Sequence, residues 1–333
     1  MGGTLFAGRE VVSAALRADI VVTTFNRGRS GADTEGVSVV RGDRNELFDV
    51  ERLAAQGPWD AVVDASAYVP RNVLDVARAL RPVCSRYVLL STVSVYAGWP
   101  NEPLTEASEV LECPPDAGPD FGEDVENGPT KYGYQKAGCE NAVRTVFGDD
   151  SVLLRPGVVL GPREYVGRLP WWLGRTAASG RIVAPAPPDR SIQPVDVRDL
   201  AAFTLRSAAG KVSGAFNVAA PIGRETFGGM LAACRRVTDA DAEFAWVTDE
   251  QLLEAGVRQW SELPLWRVAD GVWKVDSSRA AAAGLERRPL SETVRDTWTW
   301  MTENDDTSTA HERASEIGLD PAKERQILAA LSE

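Results

Sequence analysis

The chain has 333 residues, 44% apolar and 25% charged, with 36 basic against 48 acidic side chains and a net charge of −12. That composition excludes a disordered or collagen-like chain, and no run of about 18 apolar residues is present to span a membrane. The acidic balance repels phosphate backbones, so nucleic acid is not an expected partner.

The opening Gly2-Gly3-Thr4-Leu5-Phe6-Ala7-Gly8 leads into a helical stretch at 9–18. Glycines at that point let the backbone approach a pyrophosphate at a helix N-terminus. The strand expected before such a turn is absent from the chain as written, and the expectation is that the true start lies upstream and restores it. The β-branched run at 20–25 predicts a strand ending in Asn26-Arg27-Gly28. An NAD binder usually places an acid at that strand end. Here Arg27 suits a 2′-phosphate by bidentate pairing, so NADP(H) is preferred over NAD(H), with a solvated surface turn as the plainer reading.

A short strand at 37–40 leads into Gly42-Asp43-Arg44, followed by a helix at 46–56, a strand at 61–64, a helix at 72–80 and a strand at 87–90. The last strand ends in Ser91-Thr92-Val93-Ser94-Val95-Tyr96. Short apolar strands separated by helices predict an α/β fold: a Rossmann-type, doubly wound parallel sheet with right-handed crossovers.

Residues 99–129 carry nine acids, six prolines and no lysine or arginine. Such a long irregular segment reads either as the lid or rim of a site or as a solvated insertion. A helix is predicted over 131–146 and a strand over 151–154, closed by the run RPGVVLGP at 155–162. The expected organisation is a dinucleotide-binding domain at 1–160, with the acidic loop at 99–129. A smaller, mainly substrate-binding α/β domain with a helical tail follows at 161–333. Eight of the ten tryptophans lie beyond 162, most of them expected in the packing of that smaller domain. Asp320 and Pro321 are the predicted N-cap and first residue of a last helix.

The one histidine, His311, sits in a polar stretch and is expected in a solvated loop, which argues against a Ser-His-Asp triad or a histidine-rich metal site. No metal is expected. Cys84, Cys113, Cys139 and Cys234 show no paired spacing, and with no visible secretory signal they read as buried thiols of a reduced, cytoplasmic protein. Arginine far outnumbers the five lysines, a bias that fits a GC-rich genome and is compatible with secondary metabolism.

One Tyr–Lys pair is four residues apart: Tyr132 and Lys136, on a shared face of the helix predicted at 131–146. There a lysine ammonium can lower a phenol's pKa and hold a nicotinamide ribose. A solvated helix lysine is the competing reading. The hydroxyls of the 91–96 run lie at the carboxyl end of a strand, where open α/β sheets bind ligands.

On these motifs, with VVDASAY at 62–68, SIQPVDVRDLA at 191–201 and FNVAAP at 216–221, the sequence resembles the extended short-chain dehydrogenase/reductases, the NAD-dependent epimerase/dehydratase family. The resemblance covers most of the chain. It implies Tyr132 as proton donor or acceptor, Lys136 as its partner, and Thr92 as hydrogen-bond donor to the substrate oxygen beside Ser91 and Ser94. It places Gly2 and Gly8 as the outer glycines of the phosphate loop, with Thr4, Leu5 and Phe6 between them and Leu5 where the family usually has glycine. Asp43 would meet the adenine beside Arg44. Ala65, Ser66 and Ala67 would line the nicotinamide side, and Gly157 and Val158 would form the cofactor-contacting turn. A homodimer is common in the family.

Three functions follow. The first is an NADP(H)-dependent oxidoreductase acting on a carbonyl or alcohol of a small molecule. The second is a nucleotide-sugar epimerase or dehydratase with tightly held NAD. The third is a catalytically retired nucleotide- or RNA-binding scaffold, since GGTxFxG and FNRG also resemble a plant branch linked to RNA binding. Tyr68, Ser94, Tyr96, Trp171 and Trp172 are candidates for an aromatic-lined substrate pocket, against core packing as the alternative. The acidic 99–129 segment disfavours anionic ligands unless arginines such as Arg163, Arg168, Arg175, Arg181 and Arg190 compensate.

Overall fold

The computed structural model describes residues 1–210, 212–304 and 315–331, so His311 lies outside the described residues. In chain order the elements are α1 (Phe6–Arg17), β1 (Thr23–Asn26), β2 (Ser38–Arg41), α2 (Leu47–Ala54), β3 (Val62–Asp64), α3 (Pro70–Leu80), β4 (Tyr87–Leu90), α4 (Lys131–Phe147) and β5 (Ser151–Pro156). They continue with β6 (Val159–Leu160), α5 (Arg168–Ala177), β7 (Gly180–Pro185), β8 (Ser191–Ile192), β9 (Val195–Asp196), α6 (Val197–Ala208), β10 (Gly214–Val218), β11 (Glu225–Thr226) and α7 (Phe227–Thr238). The last are β12 (Ala242–Val247), α8 (Asp249–Glu254), α9 (Ser278–Ala282), α10 (Leu290–Glu303) and α11 (Pro321–Ala330).

The chain divides into two compact units. The first holds Met1–Val158, Val197–Ala219 and Asp270–Glu286; the second holds Val159–Asp196, Ala220–Ala269 and Arg287–Glu333. The first passage between units falls after Val158, and two later segments return to the first unit, so the units are not the two continuous stretches 1–160 and 161–333.

The first unit is a Rossmann-type parallel sheet flanked by helices. Strands β10, β5, β4 and β3 pair in that order, all parallel, and β1 pairs parallel with β2. β4 and β5 are buried along their whole length, as a strand covered on both faces must be. α1 presents Gly8, Val11, Val12 and Ala15 at helical spacing and packs on α6, while α3 packs on α4. Pro70 opens α3, and Thr130 caps α4 by accepting from the Gly133 N–H at 3.1 Å.

The sheet of this unit is divided between β1 and β3. What joins its two parts is the backbone of Met1 and Gly2. The Met1 amino group donates to Val63 O at 2.8 Å, Ala65 N–H donates to Met1 O at 3.2 Å, and Gly2 N–H donates to Phe25 O at 3.0 Å. These are the bonds that a strand lying between β1 and β3 would make at its carboxyl end. The strand expected at 20–25 begins only at Thr23, and Val21, which has no strand pairing, is 93% exposed.

The acidic segment is irregular yet anchored. Leu104, Leu111, Cys113 and Ala117 are buried with Val93, Val95 and Tyr96, and Leu111 N–H donates to Val95 O at 2.8 Å. Its acids are exposed around that apolar footing except Glu106, which is half-buried and accepts from the Asn217 N–H at 2.9 Å. All four cysteines are buried and none forms a disulfide.

In the second unit β7 pairs parallel with β12, β6 parallel with β9, and β8 antiparallel with β11. Trp172 and Phe227 meet edge to face at 5.4 Å in its core. Asp320 caps α11, accepting from Ala322 N–H at 2.8 Å and Lys323 N–H at 3.1 Å. Among the described residues no helix is long and apolar enough to cross a membrane.

Candidate active site

β1 and β2 run parallel, as do β3, β4 and β5, and the Met1–Gly2 backbone bonds the carboxyl ends of both sets, so those ends share one rim. That rim carries Arg27 after β1, Asp43 and Arg44 after β2, Ala65 to Ala67 after β3, Ser91 and Thr92 after β4, and Gly157 and Val158 after β5.

Gly2 and Gly3 adopt positive φ of 82° and 106°, a turn an L side chain rarely makes. A Cβ on Gly2 would lie 3.5 Å from Ser66, and one on Gly8 would lie 3.1 Å from the Gly3 nitrogen. The loop therefore closes tightly through Thr4, Leu5 and Phe6 into the first turn of α1. Leu5 at its N-cap offers no side-chain cap to the helix N–H groups. This leaves a backbone cradle suited to an anion.

Arg27 is half exposed and reaches Asp43 at 3.6 Å. The sequence reading missed its neighbours. Arg41, in register with Asn26, bonds both Asn26 and Asp33, and these partners hold the Asp33 carboxyl below its ordinary range, the Arg41 hydrogen bond first. An acid absent from the end of β1 is thus supplied by the loop that follows it.

Arg44 turns inward, where it forms a bidentate pair with Asp64 at 2.9 and 2.8 Å and reaches Ser66 Oγ at 3.2 Å. Tyr87 donates to Asp64 at 2.7 Å. Burial opposes both charges, but the pairing outweighs it. Asp64 is held well below the usual carboxylate range and Arg44 above its own. Burial, then the charge of Asp64, pushes the Tyr87 phenol up.

Lys136 is 4% exposed, and its ammonium donates to Leu90 O at 2.6 Å and Ala67 O at 3.1 Å. An ammonium has three N–H donors, so one remains after these two bonds. The ammonium also lies 5.8 Å from the centre of the exposed Tyr68 ring. Four residues earlier, Tyr132 is 43% exposed. Between them Gly133 lets α4 lie directly on the Thr92 loop, since a Cβ there would run into the Ser94 carbonyl oxygen. Thr92 Oγ1 accepts from Ser94 N–H at 3.2 Å and donates to Ser94 Oγ at 3.3 Å.

The dinucleotide implied by the resemblance finds fitting residues. The glycine turn is a cradle that a Cβ would obstruct, and Ser91 Oγ beside Leu90 is buried with no hydrogen-bond partner.

Two residues expected on a substrate wall lie elsewhere. Tyr96 is fully buried, its hydroxyl accepting from Arg155 at 2.9 Å and donating to Asn217 at 2.7 Å. Burial, opposed by Arg155, raises its pKa. Trp172 is equally buried, its indole N–H committed to Pro264 O at 2.9 Å, while Trp171 stays half-buried against it. Both buried rings serve packing and polar satisfaction. Of the second-unit arginines, Arg168, Arg175 and Arg190 are paired with Glu164, Glu324 and Asp249.

Residues 1–219 match the model of the NAD dependent epimerase/dehydratase family. The 2'-dehydrokanamycin reductase of Streptomyces kanamyceticus is 32% identical over 162 residues, 47% of this chain and 41% of that protein's length. Among solved structures, Bordetella bronchiseptica WbmG in complex with NAD and UDP matches with a TM-score of 0.68 at 18% identity, over 91% of this chain and 93% of that one. UDP-glucose 4-epimerase from Thermotoga maritima matches with a TM-score of 0.67 at 15% identity, over 92% and 98%.

Proposed function

We propose, from the premise that this chain belongs to the NAD-dependent epimerase/dehydratase family and is an NAD(P)-dependent enzyme of its extended short-chain dehydrogenase/reductase type, that it reduces the carbonyl of a neutral or amine-bearing small molecule with NADPH. The observation that carries the reading is the fixed ammonium of Lys136 one helical turn from the half-exposed Tyr132, over the loop of Thr92. The partial match to a reductase supports reduction, and Arg27 supports NADP(H).

The glycine turn and the N-terminus of α1 would receive the pyrophosphate, and Ser91 and Lys136 the nicotinamide ribose. The bound nicotinamide supplies the hydride. Tyr132 gives the proton to the developing alkoxide, and Thr92 Oγ1 turns from Ser94 to donate to the same oxygen as its charge grows. The acidic segment hydrogen-bonded to the 95–97 backbone works against an anionic substrate such as a nucleotide sugar.

The test is steady-state turnover with NADPH and NADH across neutral, amine-bearing and nucleotide-linked ketones, with Tyr132→Phe as control. Turnover with NADPH that Tyr132→Phe abolishes is expected. Full turnover in Tyr132→Phe would sink the mechanism. NAD retained through purification, with interconversion of a nucleotide sugar, would establish the epimerase reading instead.

A further inference from the structure

We propose that Arg155 is a positioning residue, its one guanidinium fixing the separation between the helix that carries Tyr132 and Lys136 and the loop that carries Thr92. The inference rests on the reading that these three residues perform the chemistry.

Arg155 projects from β5 and is 1% exposed. Its Nε and Nη2 donate to the two oxygens of Glu140 at 2.9 and 2.5 Å, one turn beyond Lys136 on α4. Its Nη1 donates to the Tyr96 hydroxyl at 2.9 Å, at the far end of the Thr92 loop. A guanidinium is planar and rigid, so anchors on two of its edges stand at a set distance. The Tyr96 hydroxyl donates onward to Asn217, which is itself held by Asp276 O at 3.0 Å and by Glu106 at 2.9 Å. The loop needs such an anchor because it is a single 3-10 turn over Val93–Val95, with little internal bonding of its own. Among the described residues the other cation paired with Glu140 is the exposed Arg144 at 3.8 Å, too distant to replace Arg155.

Two variants test the role. Tyr96→Phe keeps the ring stacked on Arg155 and removes the hydroxyl alone. Glu140→Leu with Arg155→Met removes the ion pair as a unit, a replacement buried pairs often tolerate, and keeps the test open should Tyr96→Phe not fold. Each folded variant is expected to lose about tenfold to a hundredfold in kcat per NADPH-binding site while the NADPH dissociation constant stays within about twofold. Wild-type kcat in either variant overturns the proposal, as does a parallel loss of kcat and cofactor affinity.

Amide exchange separates this from failure of the reductase reading. The Ser94 and Leu111 N–H groups are expected to exchange about tenfold faster in the variants while β4 keeps its protection. Unchanged exchange overturns the positioning role even if no carbonyl substrate is found, and absent turnover with altered exchange overturns only the reaction.

Discussion

The Lys136 ammonium donates to the Leu90 carbonyl oxygen at 2.6 Å, so the helix bearing Tyr132 is tied to the carboxyl end of β4, one residue before Ser91. Replacing Lys136 by Met removes the donor from both Leu90 and Ala67. Turnover is expected to fall by about 10²- to 10⁴-fold, the range for a lost acid–base partner. Each buried carbonyl left unpaired costs about 1–3 kcal/mol, so thermal melting should fall as well. Turnover within a few-fold of wild type would refute the role of the ammonium.

Gly133 predicts a steric result. Alanine there would drive its Cβ into the Ser94 carbonyl oxygen, which is backbone and cannot swing aside. The helix must lift from the Thr92 loop, at a cost of about 1–3 kcal/mol. Activity should fall further than stability, because Tyr132 and Thr92 move apart together. Kinetics and melting on Gly133→Ala, beside an exposed control such as Gly174→Ala, check this; an active Gly133→Ala enzyme contradicts the geometry.

The proposed preference for NADPH rests on Arg27, which is half exposed beside Asp43. A charge-assisted hydrogen bond is worth about 1.5–3 kcal/mol, so Arg27→Ala should weaken NADPH binding by about tenfold to a hundredfold and leave NADH nearly unchanged. Arg41→Ala should act less directly, by releasing Asp33 from its cation. Calorimetric titration of both variants with both cofactors decides it. Equal losses for NADPH and NADH would remove Arg27 from the specificity role.

The sheet and its rim were legible because strand tails are local: each apolar run announces its own carboxyl end, and Tyr132 and Lys136 announce a shared helix face by spacing alone. What escaped were pairings between distant parts of the chain. Arg44 reads as a cofactor residue beside Asp43, yet it turns inward to Asp64, twenty positions away. Tyr96 reads as a pocket aromatic until Arg155 and Asn217 claim its hydroxyl. A signal did exist for the second case. An arginine inside the buried run Val-Leu-Leu-Arg-Pro requires an acid, and Glu140, one turn past Lys136, is the acid on the helix that precedes it. For Arg41 and Asp33 the pairing depends on how the 27–37 loop folds back, which periodicity does not encode.

Asp64 gives a prediction in pH. Its pairing with Arg44 and Tyr87 holds its folded-state pKa well below that of an unfolded aspartate, about 3.9. A depressed carboxylate stabilises the fold fully above the unfolded value, and that contribution is lost as pH falls from there through the folded value. Stability should therefore be insensitive to this group above about pH 5 and decline progressively below about pH 4. Asp64→Asn removes the carboxylate but leaves the Arg44 charge, whose side chain is only 14% exposed, without its partner, so a loss of about 3–5 kcal/mol is expected at neutral pH. The variant's stability should also fall less steeply between about pH 4 and 2, because the group that titrates there is gone. Denaturant unfolding of both proteins across that window measures the difference. Parallel curves would mean that Asp64 is not the carboxylate whose protonation loosens this core.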